Sequence, residues 1–325
     1  MSRKLISALF ILMFAMLACN IQAATPTVAP GTDTPMPPIE TSTPAITDTP
    51  VPPTNTPAPP TDTPLPPAPG GLTLDMLKNA TYHTPFYNRT VTLVNGSYTE
   101  GSGSSAFTVQ METVYAFGDL NGDSKSDAAV LLTENGGGSG VFVSLVAVVN
   151  QSGAPHQVGA AELGDRVQVK SADISSGVVH LDMLVQGPSD PLCCPSLAEK
   201  QNYWLIGSAL WLMRVNTTTG GVEHVINVDS PGNWTTLSNP FTVNGSVTVL
   251  PFENTLAYRI YLIDGTKVNE SSLTGTPSSG TAGTFSRDFN LSSAGITDWV
   301  IIQFVDVSAA DGSTIALGSV IFKAH

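Results

Sequence analysis

The chain has 325 residues, a net charge of −13 at pH 7, only 12% charged residues and 7% aromatics. Thirteen Lys and Arg stand against 26 Asp and Glu. This excludes nucleic acid as a partner, because a phosphate backbone demands basic clusters. It also excludes an electrostatic grip on an anionic membrane.

Residues 1–19 open with Arg3 and Lys4, continue without charge from Leu5 to Ala18 and reach Cys19. A basic start, a short apolar run and a small residue at a cleavage point read as a secretory signal. The run is too short to span a bilayer, which takes about 20 residues. Cys19 directly after Leu17-Ala18 resembles the bacterial lipoprotein signal, although Met16 stands where that signal usually has Leu. The resemblance implies a protein that is exported and lipid-anchored to the cell membrane through Cys19, facing the cell surface or the periplasm. The alternative is an ordinary signal peptide with a coincidental cysteine.

Residues 20–70 follow as a Thr/Pro-rich stretch. Sixteen of the 25 prolines fall between residues 24 and 70, with Thr-Pro units such as Asp33-Thr34-Pro35 and Asp62-Thr63-Pro64 and no Lys or Arg. Proline withholds backbone donors and favours extended polyproline conformation. About 45 such residues reach on the order of 140 Å when fully extended. The stretch reads as a disordered stalk, or more simply as a tolerated linker. After it, about 255 residues remain, enough for two domains.

The first, residues 71–215, reads as mostly antiparallel β with one short helix. The apolar spacing of Leu72–Ala80 predicts a helix with Thr73 as its N-cap. Thr90–Val94, Asn95-Gly96 and Ser97–Thr99 predict a hairpin. Phe107–Phe117, Ala128–Thr133 and Val141–Asn150 predict strands. The glycine-rich run Glu134–Gly140 joins two of them without a P-loop lysine, so it reads as a hairpin tip. Residues 156–185 give further strands. Tyr203–Val215 gives a hairpin about Gly207-Ser208 with Trp204, Leu210 and Trp211 as expected core.

Two features of this domain carry chemistry. Asp119, Asn121, Asp123 and Asp127 place side-chain oxygens at positions 1, 3, 5 and 9, and the Lys125 carbonyl can add another. Calcium takes 6–8 oxygens from a tight loop. Ser124 occupies the position where glycine usually makes the sharp turn, and Val130 stands where an EF-hand has its closing glutamate. The phrase resembles the calcium loop of integrin-type propeller repeats, which implies calcium as a cofactor; the alternative is an Asx-rich turn. Cys193-Cys194 is an adjacent pair in an exported chain, where a strained disulfide can persist. Two small buried hydrophobes or a metal site are the other readings of that pair.

The second domain, residues 222–325, shows seven short strands: Val225–Val228, Phe241–Leu250, Ala257–Ile263, Thr266–Asn269, Gly283–Asn290, Asp298–Val307 and Thr314–Phe322. Turn signals every 8–12 residues predict a β-sandwich. Gly245 and Gly265 suit turns, Phe252 and Tyr258 suit the core, and Glu253 lies close enough to Arg259 to pair with it. Asp229-Ser230-Pro231-Gly232, Asn239–Gly245, Phe252–Ile260, Asp264-Gly265, Phe285 and Val307–Ser313 resemble, in order, the bacterial spore germination immunoglobulin-like domain. That resemblance implies a seven-stranded immunoglobulin-like sandwich. Residues 71–215 resemble a module of uncharacterised bacterial surface lipoproteins, on Phe117–Asp123, Gly140–Val143, Leu163–Val167 and Asp190–Pro195. This second resemblance implies no activity.

The fold class is therefore mainly β: a C-terminal immunoglobulin-like β-sandwich, preceded by a mostly antiparallel-β (α+β) domain and a stalk. G-x-S-x-G, S-x-x-K, HExxH and Walker A patterns are absent from the sequence. His83, His156, His180, His224 and His325 are scattered. The expected function is non-catalytic: presentation of binding or adhesion modules to an envelope protein or glycan. A structural spacer without its own ligand is one alternative. The other is a hydrolase of surface polymer built around the Asp119–Asp127 loop; Asp182, Asp190 and Glu199 offer a carboxylate pair for glycoside hydrolysis, although nothing in the sequence singles them out. Exposed Trp234, Trp299, Tyr87 and Tyr98 on one face would favour a ligand.

Overall fold

A computed structural model describes residues 71–325 apart from residues 293, 294 and 297. The Cys19 and stalk expectations lie outside the described residues. Thr73 caps α1 (Leu74–Lys78), its Oγ1 accepting from the Met76 amide at 3.3 Å. Strands β1 (Thr81–Thr84) and β2 (Arg89–Thr92) form a small ribbon beside it. Asn95 and Gly96 turn with φ of 52° and 87°, as the Asn-Gly signal demands. The hairpin there reduces to one bridge, Val94 to Ser97. The reason is competition: β2 pairs back with β1, whereas β3 (Ser97–Glu100) pairs forward with β4 (Phe107–Gly118).

A five-stranded antiparallel meander follows, β3-β4-β5-β6-β7, with β5 spanning Asp127–Asn135, β6 Phe142–Gln151 and β7 Ala154–Asp165. The central β5 is covered on both faces. Ala128, Val130 and Leu132 pack with Leu72, Leu77 and Tyr82, while Ala129 and Leu131 pack with the next sheet. That two-sided burial explains an apolar run with no alternation. Strands β8 (Gln168–Ser175), β9 (Val178–Val185), β10 (Leu197–Ile206) and β11 (Ala209–Thr219) supply Val179, Leu181, Met183 and Tyr203 to that core. Trp204, Leu210 and Trp211 are only half-buried, because the β10–β11 hairpin tip reaches beyond it. A two-residue strand, β12 (Val222–Glu223), pairs with the end of β11.

The C-terminal half is an immunoglobulin-like sandwich. One sheet is β13 (Ile226–Ser230), β15 (Phe241–Val247), β19 (Gly283–Phe289) and β18 (Thr276–Pro277). The other runs β17 (Lys267–Thr274), β16 (Thr255–Leu262), β20 (Trp299–Val307) and β21 (Thr314–Ala324), with β14 (Thr235–Leu237) parallel to the end of β21. Tyr258, Phe285, Phe289, Phe304 and Phe322 fill the space between them. Each such ring contributes roughly 1.5–3 kcal/mol on burial, and edge-to-face pairs such as Phe241–Phe322 at 4.8 Å fix their packing.

Three sequence expectations fail here for physical reasons. Gly245 lies inside β15 rather than in a turn, and the Phe285 ring opposite fills the space a side chain would need. Phe252 is 70% exposed, because it sits in a 3-10 turn ahead of β16 and not on a strand face. Arg259 pairs with Glu270 at 2.9 Å, its cross-strand neighbour, and not with Glu253.

The two halves share one sheet. Strand β21 pairs with β11 through Arg214–Gly318, Val215–Leu317 and Asn216–Ala316. Strand β11 thereby continues the sandwich sheet into β10, β9 and β8, giving ten strands with β12 and β14.

Candidate functional site

The junction of the halves gathers all four tryptophans of the chain. Trp204 and Trp211 come from the β10–β11 hairpin, Trp299 from β20, and Trp234 from the loop before β14. Trp204 and Trp234 stack at 5.6 Å and 11°, and Trp234 meets Trp299 edge-on at 5.3 Å. Trp211 meets Tyr261 at 5.7 Å. Beneath them Met213, Ile301 and Ile321 are buried. Trp234 stays 52% exposed. It holds a φ of +63°, which is rare for a bulky residue, while its amide donates to the Ile321 carbonyl at 2.8 Å and Asn233 Oδ1 accepts from the Ile321 amide at 3.0 Å. Of the four aromatics whose exposure on one face would favour a ligand, Trp234 and half-buried Trp299 lie together. Tyr87 and Tyr98 belong to a separate cluster around Phe107.

A groove of about 450 Å³ opens beside Trp204. Its side chains come from β9, β10, β11, β12 and β21, which strand pairing brings into one surface. Register sets His180 opposite Asn202 and Asn202 opposite Arg214, with Lys200 opposite Asn216. His180 Nδ1 lies 3.0 Å from Asn202 Oδ1. Lys200 Nζ lies 3.2 Å from Glu223 Oε1, and Asn216 Nδ2 donates to the same oxygen at 3.3 Å. Lys200 is the largest cause that holds the Glu223 carboxyl below its usual range. Arg214 donates to Asn227 Oδ1 at 3.1 Å. Two residues that line this groove, Asn216 and Ser319, each hold a side-chain oxygen, Oδ1 and Oγ, that is buried beneath the surface without a hydrogen-bond partner. Sequence reasoning missed these residues, since they are far apart in the chain; the only local trace is the period-two series Lys200, Asn202, Trp204.

The acidic loop closes as the spacing anticipates. Asp119, Asp123 and Asp127 bring carboxylate oxygens within 4.8 Å of one another. Each also orders backbone: Asp119 accepts from the Gly122 and Ser124 amides at 2.7 and 2.8 Å, Asp123 from Lys125 at 2.9 Å, and Asp127 from Leu120 and Asn150 at 3.0 and 2.8 Å. Asn121 Oδ1 accepts from the Asp123 amide at 2.9 Å. Lys125 Nζ sits 3.3 Å from Asp123 Oδ2. Burial, above all, raises the Asp127 carboxyl, and the charges of Asp123 and Asp119 push it the same way. Ser124 takes the turn that glycine makes elsewhere, with φ of +65°. Oxygen donors in this number suit a hard cation, and each carboxylate keeps lone pairs beyond its amide bonds.

Cys193 and Cys194 are bonded to each other. Their loop is gathered by Asp190, which accepts from the Gly187 and Ser196 amides, both at 2.7 Å. Glu199 pairs with Met183 and Asp182 with Lys200, so Asp182 and Glu199 lie on opposite faces of the sheet. A buried His224–Asp306 contact lies elsewhere in the junction, Nδ1 to Oδ2 at 4.0 Å. Burial pushes the imidazole down and the carboxyl up to about 6, so it disfavours the charged form of each and the contact is not a strong ion pair.

The C-terminal half is thus an immunoglobulin-like module, a class that serves mostly as a surface or binding unit rather than a catalyst. Residues 225–313 match the family described as the immunoglobulin-like domain of bacterial spore germination. The matched stretch ends one residue before β21. No curated protein and no solved structure matches the chain.

Proposed function

We propose that this is an exported, non-catalytic binding protein, lipid-anchored through Cys19, that presents the two β units on the Pro/Thr stalk to a protein or glycan of the cell envelope. The observation that carries the binding role is the groove lined by Trp204, whose ring stacks on half-exposed Trp234, and by polar side chains of five strands. Aromatic anchors beside convergent polar groups are the usual make-up of a recognition surface. The immunoglobulin-like domain supports the same reading. Immobilised full chain, incubated with isolated envelope, retains a specific component on this reading. Retention of nothing would favour a spacer without its own ligand.

The loop Asp119–Asp127 serves this design as a calcium site. Asp119, Asn121, Asp123 and Asp127 would supply side-chain oxygens and Lys125 its backbone carbonyl. The three carboxylates within 4.8 Å support it. When bound, the cation would pin the β4–β5 connection. Titration calorimetry at millimolar calcium, with melting in calcium and in chelator, tests it: no heat and no shift in melting would refute the site.

A further inference from the structure

The β11 end of the junction groove holds a positive charge without a counter-ion, and we infer that it binds the carboxylate of an acidic sugar, with Arg214 as the partner of that carboxylate and Trp204 beside the ring. This rests on the reading of the protein as a surface binding module and names its ligand class. Arg89, Arg166 and Arg259 each hold a carboxylate. Half-buried Arg214 holds none among the described residues. Its Nη2 donates to the neutral Asn227 amide oxygen, while Nε and Nη1 donate to nothing there and are not sealed from solvent. A guanidinium presents its N–H donors as a planar fork that matches a carboxylate, and partial burial makes an unmatched charge costly. Glu223 lines the same groove but is taken by Lys200 and Asn216, which share its Oε1.

Register places this charge. Asp173, His180, Asn202 and Arg214 stand opposite one another in one rank across β8, β9, β10 and β11, with Asp182 and Lys200 in the next rank. The aspartates lie toward β8 and the guanidinium on β11, so an anion is drawn to the β11 end. The lining itself carries two fixed positive charges, Lys200 and Arg214, against one negative, Glu223, in a chain of net charge −13. An excess of one charge suits a monoanionic carboxylate better than a nearly dianionic phosphate monoester. Asn202 Nδ2, which bonds to nothing among the described residues, adds a neutral donor beside Arg214.

Two observations favour a sugar over a peptide. Val178, Trp204 and Met213 line the groove together with the guanidinium, so the C–H face of a pyranose finds apolar surface next to the partner of its carboxylate. The floor strands β9, β10 and β11 are paired along both edges. An extended peptide has no strand edge to join there.

The test uses the full chain in detergent and chelator, so that no calcium bridges a sugar to the acidic loop. Hexagalacturonate, a hyaluronan hexasaccharide, their methyl esters and hexaglutamate are the probes, read by calorimetry. At least one acidic sugar should bind, and its ester should bind about tenfold more weakly, the scale of one charge-assisted hydrogen bond. Arg214→Gln should weaken the acid to a similar extent. Arg259→Gln, which removes the same charge from a paired position on β16, should leave binding unchanged. Glu223→Gln removes the anion of the groove and should tighten binding severalfold, a gain that a damaged fold does not produce. Binding of neither acidic sugar, equal binding of acid and ester, tighter binding of hexaglutamate, or equal binding by wild type and Arg214→Gln overturns the inference. If isolated envelope is still retained while the acidic sugars fail, this assignment falls and the binding role stands. If nothing is retained either, both fall.

Discussion

Gly318 leaves room for Ile226. A methyl group on Gly318 would overlap the Ile226 carbonyl oxygen and crowd its side chain. Gly318 is also the residue of β21 that faces Arg214 of β11, so β13 can lie close on the sheet at the very point where the two halves join. Replacement by Ala forces backbone apart there. We expect Gly318→Ala to destabilise the protein by about 2–3 kcal/mol, measured by urea unfolding. A change smaller than about 0.5 kcal/mol would show that β13 can retreat without cost.

Asp306 gives the fold a pH dependence of known sign. Asp306 is 3% exposed, and burial raises its carboxyl to about 6, from 3.8 in an unfolded chain. Between those values the native state holds a proton that the unfolded state has lost, so stability falls as pH rises from about 4 to 6 and then levels. The penalty above pH 6 is on the order of 3 kcal/mol. Asp306→Asn should remove that slope and stabilise the protein at pH 7. Unfolding curves for both proteins at a series of pH values decide it; parallel profiles would discount Asp306.

Ser124 pays for the acidic loop in backbone strain. A residue with a Cβ loses roughly 1 kcal/mol in the left-handed region relative to glycine. Ser124→Gly should raise stability by about that amount and preserve the amide bond to Asp119. Asp119→Ala, which removes the acceptor for two amides, should cost about 1–2 kcal/mol in chelator as well as in calcium. Thermal melting of the two variants checks both signs.

Phe252 and Tyr258 separate what the sequence displays from what it hides. Both look like core by type, but Tyr258 is 4% exposed and Phe252 70%. Tyr258→Ala should cost about 3–5 kcal/mol, and Phe252→Ala less than about 0.5 kcal/mol. Comparable losses from both would contradict the exposure of Phe252.

The strands of the sandwich were legible because each has its own alternation and turn. Phe241, Gly283 and Thr314 begin strands where they are expected to, and the stretch Trp299–Val307 differs from expectation by one residue. The Thr73 cap and the Asn95-Gly96 turn were legible for the same local reason. Partner choice was not. Nothing within Ser97–Glu100 says that it joins β4 rather than β2, and nothing within Thr314–Ala324 announces an edge shared with β11. The acidic loop was visible because its residues are neighbours in the chain. The groove was invisible because His180, Lys200, Arg214 and Ser319 meet only through strand order.

The continuous sheet means that the stretch recognised as a portable module is not the stretch that can be cut free. Residues 225–313 stop short of β21, and β21 is the strand that holds β20 on one side and β11 on the other. Excising the C-terminal half strips β21 of its β11 neighbour and leaves β11 with unpaired backbone groups, an open template for pairing with another chain. Here the matched stretch is joined to its neighbour through one strand pairing, and the sheet, rather than either half, is the continuous unit.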